Sequence, residues 1–262
     1  MSALAANTRV VAGLGRRSVR QTLRRPQLAA PLIIFPTLLL AVQVGGAGRS
    51  VDLPGFPEVD GFLDFMLAGA MVQGCLMAGN SGAIAFAIDM EMGFTDRLMA
   101  APISRFAIVL GRLAATAVLG ALLAVYFIAL GLIFGASISE GVLGAVWIVA
   151  VAAASAVAFG AIGVAIALRT GTASVVQGLF PLLFVILFLS NAFFPINLLL
   201  EPSSTIAEYN PLSFIVDGMR EPIIAGFSAG DSAAALASVL GFIVIGLALC
   251  AAAIRGRARR GG

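Results

Sequence analysis

Long apolar stretches separated by short polar ones run along the whole chain. A transmembrane helix needs about 17 to 25 apolar residues, and each stretch reaches that length. The pattern therefore predicts an all-α integral membrane protein with six transmembrane helices. These stretches cover residues 28–44, 62–88, 106–134, 142–168, 174–194 and 233–254.

The polar stretch between the second and third apolar runs, residues 89–112, carries both signs of charge. Between its charged residues, Met90, Phe94 and Leu98 recur at positions i, i+4 and i+8. That spacing places three apolar side chains in one stripe of a helix. Pro102 ends such a helix, because proline lacks a backbone N–H. The stretch predicts a short amphipathic helix held by a partner or by the membrane surface, with a solvated loop as the alternative.

The N-terminal segment, residues 1–25, is rich in arginine. On a helical wheel of about 100° per residue, these arginines fall in one arc, except Arg25, while Val10, Val11 and Leu14 lie on the other side. This distribution is typical of an amphipathic surface helix whose arginines face anionic headgroups. A basic flank that only orients the first transmembrane helix is the alternative.

The region after the fifth apolar run, residues 194–225, is too polar to span a membrane. Its second half has apolar residues on one face of a helix of about 14 residues, which is too short to cross a core of about 30 Å. We expect a re-entrant helical hairpin that enters the outer leaflet and returns. A helix lying flat on the membrane is the alternative. The apolar positions are Leu212, Ile215, Val216, Met219 and Ile223.

Composition agrees with a membrane protein and excludes several kinds of chemistry. The 262 residues are 60% hydrophobic and 11% charged, with a mean hydropathy of +1.06, and all 16 basic residues are arginine. Without lysine, the chain cannot hold an ordinary P-loop ATP site. Without histidine, it has no Ser-His or Cys-His pair and no His-based zinc site. We therefore predict no catalytic residue, no metal site and no nucleic-acid partner.

The arginines also predict the orientation. If the N-terminus is cytoplasmic, all but Arg49 and Arg220 of the 16 arginines lie inside. Cytoplasmic segments of membrane proteins carry an excess of arginine and lysine. We therefore expect both termini and residues 89–112 to be cytoplasmic, and the predicted hairpin to be extracellular.

Polar side chains are rare inside the apolar runs. Gln73 and Asn80 lie in the second run and Gln177 in the fifth. Polar side chains in a membrane usually face a bundle interior or a cavity. All three are candidates for a substrate path, and hydrogen bonding between helices is the alternative for Gln73 and Asn80.

Two segments of the chain carry recognisable motifs. The first contains Glu91-Met92-Gly93-Phe94, Asp96-Arg97-Leu98, Ala101 to Arg105 and Gly111-Arg112, and the second contains Asn191 to Pro195, Tyr209 to Leu212 and Val216 to Arg220. The first resembles the segment of ABC-2 type transporter permeases that couples to the ATPase. The second resembles the Phe-Phe-Pro and Asn-Pro-Leu…Asp…Arg segments near their extracellular gate. The order and spacing cover nearly the whole chain, and the daunorubicin/doxorubicin-resistance branch looks closest.

The resemblance implies a half-transporter in the bacterial cytoplasmic membrane. The chain would be a single transmembrane domain, residues 1–262, with a cytoplasmic amphipathic segment (1–25), a six-helix membrane domain (26–254) and a basic cytoplasmic tail (255–262). Two permeases, identical or paralogous, would pair, and two separate ATPase subunits would bind ATP and Mg²⁺. The chain itself would hold no cofactor and would export an amphipathic drug, lipid or glycolipid.

The resemblance also implies roles for particular residues. Phe94 and Leu98 would be the apolar part of a coupling helix that docks in the ATPase. Asp217 and Arg220, at i and i+3, would pair to hold the gate, or would form an exposed pair of little consequence. The coupling set is Asp89, Glu91, Gly93, Phe94, Asp96, Arg97, Leu98, Pro102 and Arg105. The gate set is Phe193, Phe194, Pro195, Asn210, Pro211, Asp217 and Arg220.

Other functions are less consistent with the pattern. A stand-alone ion-coupled transporter would need buried, paired acids in its transmembrane helices, and the carboxylates cluster in the loops instead. A membrane-embedded enzyme is disfavoured by the missing histidine and lysine. A non-transporting assembly subunit stays an alternative.

Overall fold

The computed structural model describes residues 3–24, 26–100 and 103–260. Within these ranges the chain forms α-helices and two short 3-10 helices, Gly48–Asp52 and Ile196–Leu198, and no strand. The predicted all-α class is therefore confirmed. The α-helices are α1 (Ala3–Leu23), α2 (Pro26–Ala47), α3 (Phe62–Glu91), α4 (Phe94–Ala100), α5 (Arg105–Ile133), α6 (Gly141–Thr170), α7 (Ala173–Gly178), α8 (Phe180–Phe188), α9 (Ser203–Tyr209), α10 (Pro211–Ile224) and α11 (Ala229–Arg260).

Five helices of the described chain are long and apolar enough to cross a membrane, namely α2, α3, α5, α6 and α11. They coincide with five of the six predicted apolar runs. Large apolar side chains such as Val42, Val118 and Val244 stay exposed on their outer faces. Such exposure suits contact with lipid and confirms the prediction of a multi-pass membrane protein.

The fifth predicted run, residues 174–194, is not one continuous helix. It is divided into α7 and α8, and α8 ends at Phe188. Pro181 lies in the first turn of α8, where its missing N–H costs no hydrogen bond. A proline at that position favours a new helix start over an unbroken helix. The fifth predicted run thus contains two short helices, and its role as a transmembrane helix stays a prediction.

The central helix of the bundle is α3, which is buried along most of its length. It packs against α2, α5, α6 and α10. The helices α3 and α6 approach each other closely at small residues. A Cβ added at Gly79 would lie 2.7 Å from the backbone nitrogen of Gly160 in α6, so no larger residue fits there without a shift. Close backbone contact at small residues is a common way for membrane helices to associate.

The bundle has two distinct ends. The helices α3, α5 and α6 have 29 or 30 residues, so each is about 44 Å long and extends past a hydrocarbon core of about 30 Å. At one end, here named the α4 end, α1 and α4 lie beside the last turns of α3 and the first turns of α5. At the other, named the α10 end, α10 packs against α3, α6 and α11.

Candidate functional sites at the two ends of the bundle

The prediction that Met90, Phe94 and Leu98 share one helix is wrong for Met90, which lies in the last turn of α3. The predicted short helix is present as α4, at residues 94–100. Gly93 precedes it with φ of +67°, a conformation that glycine adopts at little cost and that bulkier residues avoid. The backbone N–H of Gly93 donates to the carbonyl of Met90 at 2.9 Å. This turn directs α4 away from the axis of α3.

The apolar stripe of this segment faces its own bundle. Met90 is buried, while Phe94 and Leu98 are half-buried. The guanidinium carbon of Arg17 in α1 lies 4.0 Å above the centre of the Phe94 ring, a cation–π contact. Phe94, Thr95 and Leu98 line a small cleft with side chains of α1, α3 and α5, namely Leu14, Arg17, Ser18, Phe86, Asp89, Ile108 and Arg112.

A buried ion pair lies beneath α4. The Arg112 guanidinium in α5 donates to the Asp89 carboxylate in α3, and the two residues are only 6% and 7% exposed. Arg17 places a second guanidinium nitrogen 3.8 Å from the same carboxylate. Asp89 thus joins α1, α3 and α5 within the chain, and its carboxylate has partners other than an ATPase. Arg17 and Arg112 were not in the predicted coupling set. Each contacts Asp89 only in the folded bundle, and local sequence spacing does not reveal such tertiary contacts.

The remaining predicted coupling residues differ in their surroundings. Glu91 accepts a hydrogen bond from the backbone N–H of Ala173 at 2.8 Å and so links the end of α3 to the start of α7. Arg97 and Arg105 are exposed. Asp96 lies in α4, but its side chain is outside the described set, and Pro102 lies outside the described residues.

The N-terminal helix α1 is amphipathic, as predicted. Its arginines 16, 17 and 20 are exposed, as is Arg24 just after its end, whereas Gly15, Ser18 and Thr22 are buried. The buried face packs on α5, where a Cβ added at Gly111 would lie 2.8 Å from the Leu14 Cβ. The prediction that α1 lies on a membrane surface stays a prediction.

At the α10 end, a predicted gate residue fixes the start of α10. The Asn210 side-chain oxygen accepts from the Leu212 N–H at 2.9 Å, and its amide nitrogen donates to the Ile186 carbonyl at 2.8 Å. The first contact is a helix N-cap, and Pro211 follows in the first helical position, where it needs no acceptor. Asn210 therefore ties α10 to α8.

Arg220 is the centre of a buried polar network in α10. It is 4% exposed, and its Nε donates to the Phe65 carbonyl of α3 at 3.1 Å. One Nη donates to the Asn191 carbonyl at 2.9 Å and the other to the Asp217 carboxylate at 3.0 Å. The guanidinium also lies 3.8 Å above the Phe65 ring. The alternative of an exposed Asp217–Arg220 pair is therefore wrong.

Asp217 has a second partner in this network. The Asn191 side-chain amide donates to both of its carboxylate oxygens at 2.8 Å. Burial raises the pKa of Asp217 above its usual value, and the positive charge of Arg220 only partly opposes this effect. Burial lowers the pKa of Arg220 below its usual value, and the negative charge of Asp217 only partly opposes this effect. The network joins α10 to α3 and to the segment that follows α8.

The other predicted gate residues surround this network. Phe193 and Pro195 are buried and Phe194 is exposed. Phe193 stacks on Phe188 of α8, with ring centres 4.7 Å apart. Ser213, which is not one of the predicted apolar positions of α10, is also buried. Because α10 is covered on more than its apolar face, it does not resemble a helix lying flat on a membrane.

The three candidates for a substrate path do not share one surface. Gln73 and Asn80 are buried in α3, and Gln177 is exposed on α7. The Gln73 amide nitrogen and the Asn191 side-chain oxygen have no hydrogen-bond partner among the described residues. The Gln43 side-chain oxygen in α2 is a third such atom. A buried polar group without a partner costs about 1–3 kcal/mol, so a polar ligand group that reached any of these atoms would be stabilised.

Comparison with known proteins gives one family. The model of the ABC-2 type transporter family matches residues 10–224, from the first turns of α1 to the last residue of α10. No curated protein matches the chain. Among the described residues, no three His, Cys, Asp or Glu side chains are grouped as a metal site requires. The match covers most of the chain, including both ends of the bundle, and the chain therefore belongs to the ABC-2 type transporter family.

Proposed function

We propose that the chain is the permease subunit of an ABC exporter in a bacterial cytoplasmic membrane. It would move an amphipathic drug, lipid or glycolipid outward, driven by two separate ATPase subunits that bind ATP and Mg²⁺. One observation carries this proposal. A single unbroken helix, α3, has polar contacts at both ends of the bundle. Its Asp89 carboxylate accepts a hydrogen bond from Arg112 at the α4 end, and its Phe65 carbonyl accepts one from Arg220 at the α10 end.

The geometry of the α4 end supports a role in receiving force. The short helix α4 rests on α1, α3 and α5, and the Asp89–Arg112 pair lies beneath it. A push on α4 would therefore move three helices together. Because Phe94 and Leu98 are half-buried, their remaining surface and the exposed Met92, Arg97 and Arg105 side chains would form the docking face.

The geometry of the α10 end supports a role in closing the exit. Asp89 and Phe65 are 24 positions apart in α3, which is about 36 Å along a helix axis. A displacement of α3 would strain the bonds of Arg220 to the Phe65 and Asn191 carbonyls. We infer that these bonds hold the gate closed and that they break when the gate opens.

The path of the chain supports six membrane crossings. Ala173 at the start of α7 bonds Glu91 at the α4 end, and Asn191 after α8 bonds Asp217 at the α10 end. The broken pair α7–α8 thus runs from one end of the bundle to the other. We propose that it is the fifth crossing, that both termini are cytoplasmic, and that two permeases, identical or paralogous, pair in the working transporter.

Docking at α4 can be tested by changing one side chain. Phe94→Asp places a charge in the cleft between α4 and α1, and we expect it to abolish substrate-stimulated ATP hydrolysis by the permease reconstituted with the ATPase encoded beside it. Phe94→Leu keeps an apolar side chain and is the matched control. Unchanged transport by Phe94→Asp would contradict the coupling role.

Direct contact can be tested independently of activity. Cys75 and Cys250 are both buried, whereas Met92 is 72% exposed. A Met92→Cys variant should therefore give a specific cross-link to the ATPase subunit, and Leu200→Cys at the opposite end should give none. Transport that proceeds without any ATPase would favour the ion-coupled alternative.

A further inference from the structure

A groove between α1 and α5 combines a row of positive charge with an apolar wall. Its volume is about 700 Å³, and it is lined by Arg16 and Arg20 on α1, by Arg24 just after α1, and by Ala114 and Val118 on α5, among others. A second groove of about 650 Å³ is lined by the same three arginines and by Arg17. Arg16 and Arg20, at i and i+4, lie on one side of α1 about 6 Å apart along its axis. The Arg24 N–H donates to the Arg20 carbonyl at 3.0 Å, so the row continues past the last residue of α1.

Among the described residues, no carboxylate forms an ion pair with these three arginines. Helix α1 contains no acidic residue, and the ion pairs of the described residues involve Arg17, Arg112 and Arg220 instead. Like charges at i and i+4 repel one another in a helix. An anion bound along this row would remove that repulsion.

The groove lies partway along α5. Ala114 and Val118 are about 14 and 20 Å from the start of this helix, past the charged Arg112. From Val118, an exposed apolar row continues through Leu122 and Val125 on α5. With α5 spanning a membrane, the arginines would face headgroups and the apolar row would face acyl chains.

We propose that this groove binds an anionic phospholipid of the leaflet at the α4 end. The phosphate would pair with the arginines, and an acyl chain would follow α5. A free phosphate would match only the arginines. A second copy of the chain meeting this face symmetrically would bring the same arginine row against it, with unfavourable repulsion. Because Arg17 of the same helix contacts Phe94, a lipid in the groove would also hold α1 in place beside α4.

The proposal can be tested by lipid retention, measured by native mass spectrometry. The full chain would be released from nanodiscs of equal phosphatidylglycerol and phosphatidylcholine. We expect phosphatidylglycerol to be retained preferentially, and R16Q/R20Q to lower its retention about tenfold or more, since each arginine contributes about fivefold. R169Q/R255Q removes the same charge from exposed sites elsewhere and should change retention little.

A second variant and a competitor separate the alternatives. Val118→Gln leaves every charge in place and should weaken retention through the apolar wall, while millimolar inorganic phosphate should not displace the lipid. Equal losses in the two double variants, or no preference for phosphatidylglycerol in the unmodified chain, would overturn the proposal. Displacement by phosphate would indicate a simple anion site. Loss of the ATPase from R16Q/R20Q with unchanged lipid retention would show a protein-docking surface instead.

Discussion

At the scale of single residues, the two buried arginines of the bundle have partners in the chain. Arg112 bonds one carboxylate, whereas Arg220 bonds a carboxylate and the backbone carbonyls of Phe65, Asn191 and Ala192. A buried guanidinium is stable only if its donors find acceptors. Arg220 therefore specifies how α3, α10 and the segment after α8 meet.

Replacing Arg220 should be costly for that reason. Arg220→Ala leaves the half-buried Asp217 with only Asn191 as partner and removes the donor from the carbonyls of Phe65, Asn191 and Ala192. We therefore expect a loss of about 3–5 kcal/mol in the free energy of unfolding. Thermal unfolding of the detergent-solubilised protein measures the effect. Arg49→Ala, at an exposed position, is the control and should cost little.

Arg220→Lys separates charge from geometry. Lysine keeps the positive charge but cannot donate in the three directions that guanidinium uses here. We expect intermediate stability and reduced transport. If Arg220→Lys unfolds and transports like the unmodified protein, the network has no geometric role in the gate.

At the scale of elements, local pattern predicted some helices and missed a division in another. The arginine arc predicted an amphipathic α1. Phe94 and Leu98 lie in α4 as predicted, but Met90 lies in α3, because the turn at Gly93 divides the predicted helix. Pro181 was visible in the fifth apolar run, but hydropathy alone does not separate a bent helix from two short ones. The contacts Arg17–Phe94, Arg112–Asp89 and Arg220–Phe65 join residues distant in the chain, so no local pattern could reveal them.

The contact between α1 and α5 gives a prediction at this scale. A Cβ at Gly111 would lie 2.8 Å from the Leu14 Cβ and 3.3 Å from the Val11 carbonyl, whereas a Cβ at Gly13 would meet no atom within 4 Å. Both glycines are helical, so Gly→Ala brings the same gain in helix propensity, about 1 kcal/mol.

Gly111→Ala should therefore separate α1 from α5 and lower the free energy of unfolding by about 1–3 kcal/mol. Gly13→Ala should leave stability unchanged or raise it. Thermal unfolding compares the two variants, and ATPase stimulation shows whether α1 must touch α5 for coupling. Equal melting temperatures would mean that the two helices do not pack closely in the membrane.

At the scale of the whole molecule, the two ends are linked by α3 and differ in charge. The α4 end holds several exposed arginines, on α1, α4 and α5, while the opposite end has Arg220 buried in a network and the single exposed Arg49 between α2 and α3. This difference is the physical basis of the predicted orientation, since arginine is retained on the cytoplasmic side. In the proposed function, the ATPase would act on the α4 end and the substrate would leave at the α10 end.

The number of crossings is testable because the native cysteines are buried. Single cysteines at Ala12, Arg255 and Leu200, all exposed, report the two termini and the α10 end. With six crossings, a membrane-impermeant maleimide should label Leu200→Cys in intact cells, and the other two only after permeabilisation. If α7–α8 turned back instead of crossing, the tail and α1 would lie on opposite sides. Labelling of Arg255→Cys but not Ala12→Cys in intact cells would therefore exclude the six-span topology.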